Sequence, residues 1–350
     1  MGRRALLIAL ALAVVLGLFS AMVALRASMG PEEELRALDA LLLAVGDVPP
    51  FGWLLQGVAL GAGMPLLELN YDPTKGQGYV LQHRPGGRGL MVNFSLYEEP
   101  GVRPRGLVVG GRPQGFPPEA NGVAFFDGEG WWHLWCNANE GIGSTATGQV
   151  LEPHQWQYLE GGLRRGLSSA ELWSRHGLLL QGQPLVIERR VLLRAYEDFF
   201  TLQIKIINRG ERPVLYDYAY GDEPWVGRYG SAEGDVGWAP WGLVSTEQYL
   251  DASRVSYAGF WDRGNPLVGE QGDFSGYANF IQWSPRADEV YFSNSFYQVR
   301  PARPLADRKE RILNIVWKAR RLEPGRSHTY TLRVGMARGD ALSGLPRPPA

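Results

Sequence analysis

Asp222 and Glu223 stand side by side in Gly221-Asp222-Glu223-Pro224-Trp225-Val226, with Asp217 shortly before them and Asp235 shortly after. Trp225, Arg228, Tyr229, Trp238 and Trp241 fall in the same stretch. Adjacent carboxylates accept hydrogen bonds from hydroxyl groups, and a pair in unequal environments can act as acid and base on a glycosidic or anomeric centre. Indole and phenol rings present broad flat faces with a polar tip, which suits the apolar face of a sugar ring. The chemistry these residue types suggest is carbohydrate recognition. Asp222 and Glu223 are the candidates for proton transfer, Trp225, Tyr229, Trp238 and Trp241 for stacking, and Asp235 and Arg228 for holding hydroxyls. The same carboxylates also suit a plain loop, capping backbone amides and pairing with Arg228.

The elements that must position this stretch read as strands. Leu202, Ile204 and Ile206 alternate with Thr201, Gln203 and Lys205, and Val214, Tyr216, Tyr218 and Tyr220 alternate with Leu215, Asp217 and Ala219. Both runs have the period of two that gives a strand one buried face and one wet face. Asn208-Arg209-Gly210 with Pro213 supplies turn chemistry between them. After Tyr220 the composition changes to Gly, Asp, Glu, Pro and Trp, which predicts site-bearing loops at the strand ends. Trp131-Trp132-His133-Leu134-Trp135-Cys136-Asn137 puts aromatic rings on both faces of one strand, as between two packed sheets, and Asn137 at its end can line the same cleft.

Further strands are predicted throughout 65–97, 122–136, 155–159, 186–193, 280–292 and 312–336. One short helix is expected over Ser168–Arg175. Gly141-Ile142-Gly143-Ser144 reads as a turn, and the Gly- and Pro-rich segment 100–118 as a long exposed loop. Ile312–Trp317, the Leu322-x-Pro324-Gly325 turn and His328–Met336 look like a hairpin closing a sandwich. The fold class expected is all-β: a large antiparallel β-sandwich over 48–342, with a flexible tail over 343–350.

Bulk composition excludes several functions. The 350 residues carry 35 basic and 36 acidic side chains, so nothing marks the chain for nucleic acid. Cys136 is the only cysteine and the five histidines are scattered, so neither an intrachain disulfide nor a zinc-ligand pattern is present, and no metal or other cofactor is expected. The sequence holds no P-loop, no nucleophile elbow and no calcium-loop spacing.

Residues 5–25 form an uncharged apolar run behind Arg3-Arg4. About 20 such residues cross a bilayer as a helix, and positive residues on the short N-terminal side place the remainder outside the cytoplasm. No small-residue cleavage pattern follows cleanly, which favours an uncleaved anchor over a removed signal. Residues 1–4 would be the cytoplasmic end. Residues 31–46 begin Pro31-Glu32-Glu33-Glu34 and carry a Leu35, Leu38, Leu42 and Val45 stripe, which predicts an amphipathic stalk helix. The expected location is a bacterial inner membrane, single-pass, with the domain on the periplasmic or extracellular side.

Two features together resemble the galactose mutarotase-like (aldose 1-epimerase-like) β-supersandwich superfamily. One is the Thr201–Tyr220 strand, Asn-x-Gly-x-x-Pro turn and strand, followed by Gly221-Asp222-Glu223-Pro224-Trp225-Val226. The other is the Leu322–Met336 turn and strand. The resemblance implies a supersandwich fold and a carbohydrate ligand. It departs from the family where Glu223 stands in place of the histidine of a Gly-x-His-Pro-Tyr-Phe-like signature, and no counterpart of the late catalytic glutamate is found. A carbohydrate-recognising protein without mutarotase activity is therefore expected. The alternatives are an epimerase or lyase using Glu223 as acid or base, and an envelope or assembly protein with no small-molecule ligand.

Overall fold

The computed structural model describes residues 66–349 apart from 75, 85–86, 97–106, 108–121, 136, 145–147, 167, 229–230, 273–275, 296 and 307–310, together with Gly17. The expected anchor over 5–25, the stalk helix over 31–46, most of the loop over 100–118 and Tyr229 lie outside the described residues, as do the side chains of Asn137 and Asp222. Among the described residues, no helix is long and apolar enough to cross a membrane.

The described chain is all-β, with one 3₁₀ turn at Pro153–Gln155. Strands β1 (Leu66–Asp72), β2 (Gln77–Arg84), β3 (Gly87–Ser95), β4 (Val123–Phe126) and β5 (Trp131–Trp135) form an antiparallel sheet in chain order. The others are β6 (Asn137–Gly143), β7 (Val150–Leu151), β8 (Gln157–Arg165), β9 (Ser169–Leu180), β10 (Gln183–Arg194), β11 (Phe199–Asn208), β12 (Val214–Glu223), β13 (Asp235–Ala239), β14 (Gly242–Val244), β15 (Gln248–Leu250), β16 (Tyr257–Asp262), β17 (Tyr277–Ser284), β18 (Glu289–Ser293), β19 (Ile312–Leu322), β20 (Ser327–Gly339) and β21 (Pro346–Arg347). They divide into a ten-stranded sheet, ordered β14-β13-β16-β17-β20-β11-β10-β9-β8 with β21 also on β20, and a six-stranded sheet, ordered β15-β18-β19-β12-β6-β7.

One core joins these layers. Leu185, Ile187, Val191 and Leu193 of β10 and Leu202, Ile204 and Ile206 of β11 share it with Tyr216, Tyr218 and Tyr220 of β12 and with Ile315 and Trp317 of β19. The rings of Tyr218, Trp317 and Tyr330 lie 4.6–5.7 Å apart between centroids, which fixes the spacing of the two large sheets. Period-two burial makes this possible, since each strand gives every second side chain to the interior.

Several expectations change. Ser168–Arg175 is not helical: β9 runs through it with Ala170, Leu172, Ser174 and His176 inward, so tertiary pairing overrides the local helix signal. Gly141–Gly143 belongs to β6, paired with β12, and is not a turn. β19–β20 is not the expected hairpin: its turn, like that between β11 and β12, carries the chain from one large sheet to the other. Asn208 ties the two crossings together: its Nδ2 donates to the Arg212 and Leu322 carbonyls, and its own carbonyl accepts from Gly325 N–H.

Gly259 of β16 illustrates how closely the ten-stranded sheet packs. A methyl group there would strike the Asn279 carbonyl oxygen, which also receives the Trp238 indole N–H at 3.0 Å. Gly259→Ala is expected to destabilise the domain by about 3 kcal/mol, the upper end for overpacking, measured as a shift of the urea midpoint with unchanged slope.

Candidate functional site

The outer face of the six-stranded sheet carries a cleft of about 400 Å³. It is built by alternation. On each strand one set of side chains enters the core and the other set is left for the cleft. β12 gives Asp217 and Ala219, β19 gives Val316 and Lys318, β18 gives Glu289 and Tyr291, β15 gives Tyr249, and β6 gives only the backbone of Gly141 and Gly143. Tyr297 closes one side.

Glycine matters at position 141. A methyl group there would come within 2.7 Å of the Tyr297 hydroxyl oxygen, so the ring can lie over the strand only because Gly141 has no side chain. Tyr297 has φ 59°, the left-handed region that a bulky residue adopts only when its surroundings impose it. The exposed Tyr249 ring packs on the buried Tyr291 ring, with centroids 5.1 Å apart at 58°. Tyr291, Val316 and Ala219 make a small apolar floor.

Charge in the cleft is ordered. Lys318 Nζ donates to Glu289 Oε1 at 2.6 Å, and that hydrogen bond raises its pKa, with the Glu289 and Asp217 charges adding to the shift. Asp217 Oδ1 accepts from Ala319 N–H at 2.7 Å, which fixes its carboxylate. Burial first, and then the Glu152 and Glu140 carboxylates, push the Tyr297 phenol up to about 12. Burial likewise raises Tyr291. The cleft presents three phenols, two acidic side chains and the Lys318 ammonium. This combination can stack on a ring, accept from hydroxyls and hold a positive charge.

Directly beneath the floor is a buried ionic network. Glu140, beside Gly141 on β6, accepts from Arg189 Nη1 of β10 at 3.0 Å and from the Tyr218 hydroxyl at 2.8 Å. Arg189 Nη2 donates to His176 Nε2 at 2.8 Å. Burial and the adjacent guanidinium lower His176 to about 2, so the imidazole is neutral with its proton on Nδ1. The Trp156 ring lies under the Arg189 guanidinium at 5.3 Å.

The residues singled out by sequence are spread over several environments. Glu223 ends β12, paired with Asn137 of β6, and the strand's alternation puts it on the cleft face with Asp217 and Ala219. Trp225 is half-buried beside His133, whose Nδ1 lies 3.1 Å from the Trp225 carbonyl. Arg228 is exposed. Trp241 is 47% exposed at the β13–β14 turn, with Arg254 over its ring at 5.7 Å. Trp238 and Asp235 are fully buried on β13, away from any surface a sugar could reach. The Trp238 indole N–H is taken by Asn279, and Asp235 accepts from Val226 N–H at 3.1 Å. β13 is a buried strand where a loop was expected, which is why these two side chains face inward.

Sequence reading missed Tyr249, Tyr291, Tyr297, Glu289 and Lys318. They come from segments far apart in the chain and meet only through the order of the sheet. The available signal was aromatic and charged residues at the non-core positions of β12, β18 and β19. Among the described residues, no group of three or more His, Cys, Asp or Glu side chains is placed to hold a metal ion.

No family model and no curated protein matches the chain. Solved structures similar to it include a candidate aldose 1-epimerase from Klebsiella pneumoniae, 11% identical with a TM-score of 0.47 over 77% of this chain and 83% of that one. A galactose mutarotase-like protein from Clostridium acetobutylicum is 6% identical, with a TM-score of 0.45 over 78% and 98% of the two chains. A galactose mutarotase related enzyme from Lactobacillus acidophilus is 8% identical, with a TM-score of 0.39 over 71% and 94%. These structural neighbours are aldose 1-epimerase and galactose mutarotase-like proteins.

Proposed function

We propose that this protein recognises a carbohydrate in the cleft across its six-stranded sheet, as a membrane-anchored domain outside the cytoplasm. The observation that carries the reading is the cleft itself: Tyr249, Tyr291 and Tyr297 around a floor of Gly141, Gly143 and Ala219, with Asp217 and Glu289 at the sides. Rings supply stacking area and carboxylates accept hydrogen bonds from hydroxyls. Glu223 is four residues beyond Ala219 on the same face of β12, about 13 Å along the strand at 3.3 Å per residue. An oligosaccharide lying along β12 would reach it, and there Glu223 is the group able to transfer a proton. The apolar run over 5–25 behind Arg3-Arg4 supports the anchor and its orientation.

The test is calorimetric titration of the full-length chain in detergent with a panel of mono- and oligosaccharides, with Tyr249→Ala and Glu223→Ala in parallel. Binding to at least one sugar is expected. Tyr249→Ala should weaken it about tenfold, the equivalent of one lost stacking contact. Glu223→Ala should weaken oligosaccharides more than monosaccharides. No binding across the panel by a folded protein would sink the carbohydrate reading and favour an assembly role.

A further inference from the structure

Lys318 shows what kind of group the cleft holds. Its ammonium sits on Glu289 at 2.6 Å, on the same face as Asp217, and its side chain is 47% exposed. Three phenol rings border the same space: Tyr249 and Tyr297 are 55% and 44% exposed, and Tyr249 packs at 58° on Tyr291, which is buried at the base. An ammonium group against aromatic faces is held by the ring quadrupole, and a nearby carboxylate adds to the attraction. Lys318 is the only cation among the described lining residues, against the carboxylates of Asp217 and Glu289. The Glu152 carboxylate also acts on Tyr297, which adds negative charge near this side of the cleft. Uronates and phosphates are disfavoured there, and a second ammonium is favoured.

We infer that the cleft selects a ligand bearing an ammonium group, with Glu289 as its acceptor and Lys318 as a resident ion that the ligand displaces. On the carbohydrate reading, on which this rests for its ligand class, the ligand is an amino sugar with a free amine. The exchange conserves charge: one ammonium leaves Glu289 for water and another replaces it. Lys318 can leave at little cost, because its long stem is flexible and its head already borders solvent.

The experiment titrates the full-length chain at neutral pH with glucosamine, glucose, N-acetylglucosamine, glucuronate and choline. Glucosamine is expected to bind about tenfold more tightly than glucose or N-acetylglucosamine. Glu289→Gln should abolish that preference, and Lys318→Met should strengthen glucosamine binding several-fold by removing the competitor. Added salt should narrow the gap. Equal affinities for glucose and glucosamine would overturn the inference and leave the carbohydrate reading standing. Choline binding that is lost in Glu289→Gln, with no sugar bound, would uphold the ammonium site and sink the carbohydrate reading. No binding by any of the five would overturn both. Glu289 and Lys318 are on the outer sheet face, so both variants should keep the parent's melting behaviour, which is the check on folding.

Discussion

Arg189→Met will lower the unfolding free energy by about 3–5 kcal/mol, the range for stranding one partner of a buried ion pair. Arg189 occupies an inward position of β10 between Ile187 and Val191, and its side chain and that of Glu140 are 3% and 2% exposed. Methionine matches the stem in length and can pack beside Trp156. It leaves the Glu140 carboxylate with the Tyr218 hydroxyl as its described donor and takes the donor from His176 Nε2. A lone carboxylate in that position must take up a proton or draw in water, and either outcome is unfavourable at neutral pH. The double variant Arg189→Met with Glu140→Gln should recover most of the loss, because the amide is neutral and still accepts from Tyr218. Urea unfolding monitored by tryptophan emission measures both. A loss below about 1 kcal/mol in the single variant would show that water reaches Glu140 and that the pair does not hold the sheets together. Because Glu140 adjoins Gly141, the single variant should also disturb the cleft floor.

Asp235→Asn will stabilise the domain at pH 8 and lose that advantage towards pH 5, read as a difference from the parent because His176, held far below its usual range, makes the same acidification destabilising in both proteins. Asp235 of β13 and Asp262 of β16 are directly paired residues, 0% and 1% exposed. Burial, and then Asp262, push the Asp235 carboxyl well above the usual carboxylate range. Two other charges face the pair. The Arg311 guanidinium donates to the Asp235 backbone carbonyl and favours ionisation, whereas Glu270, held by Arg311, opposes it. A carboxyl with a folded pKa above its unfolded value contributes stability that is full below the unfolded pKa and is lost as pH rises through the folded one. Asparagine keeps the acceptor for Val226 N–H and cannot ionise. Asp235→Asn should therefore melt above the parent at pH 8, by roughly 2–4 °C for each kcal/mol recovered, and close to it at pH 5. A variant less stable than the parent at every pH, or an advantage that does not shrink between pH 8 and pH 5, would refute the raised Asp235 carboxyl.

The all-β fold and most of the long strands were legible because their alternation is local. Thr201–Ile207 and Val214–Tyr220 lie where the pattern puts them, and Tyr216, Tyr218 and Tyr220 take the inward face. Which strand each one joins was not legible. An Asn-x-Gly-x-x-Pro turn fits a hairpin and a crossing between sheets equally well, and only Asn208's long-range bonds to Leu322 and Gly325 decide it. β9 was obscured by Ala170-Glu171-Leu172, which favours a helix in isolation, and β13 by its glycine and acidic composition. The cleft was the least visible feature. Its Gly141 and Gly143 resemble a turn, and its tyrosines resemble core residues until the sheet order sets them on the outer face.

β20 pairs on one side with β11, Phe199 opposite Gly335 and Ile207 opposite Ser327, and on the other with β17. The ten-stranded sheet therefore consists of two halves until a strand made after both of them is inserted between them. Such a sheet cannot close while the ribosome is still making the chain before β20, and its long-range pairing makes closure slow. On the proposed placement outside the cytoplasm, a chain whose central sheet waits for β20 would still be open enough to thread through a translocation channel.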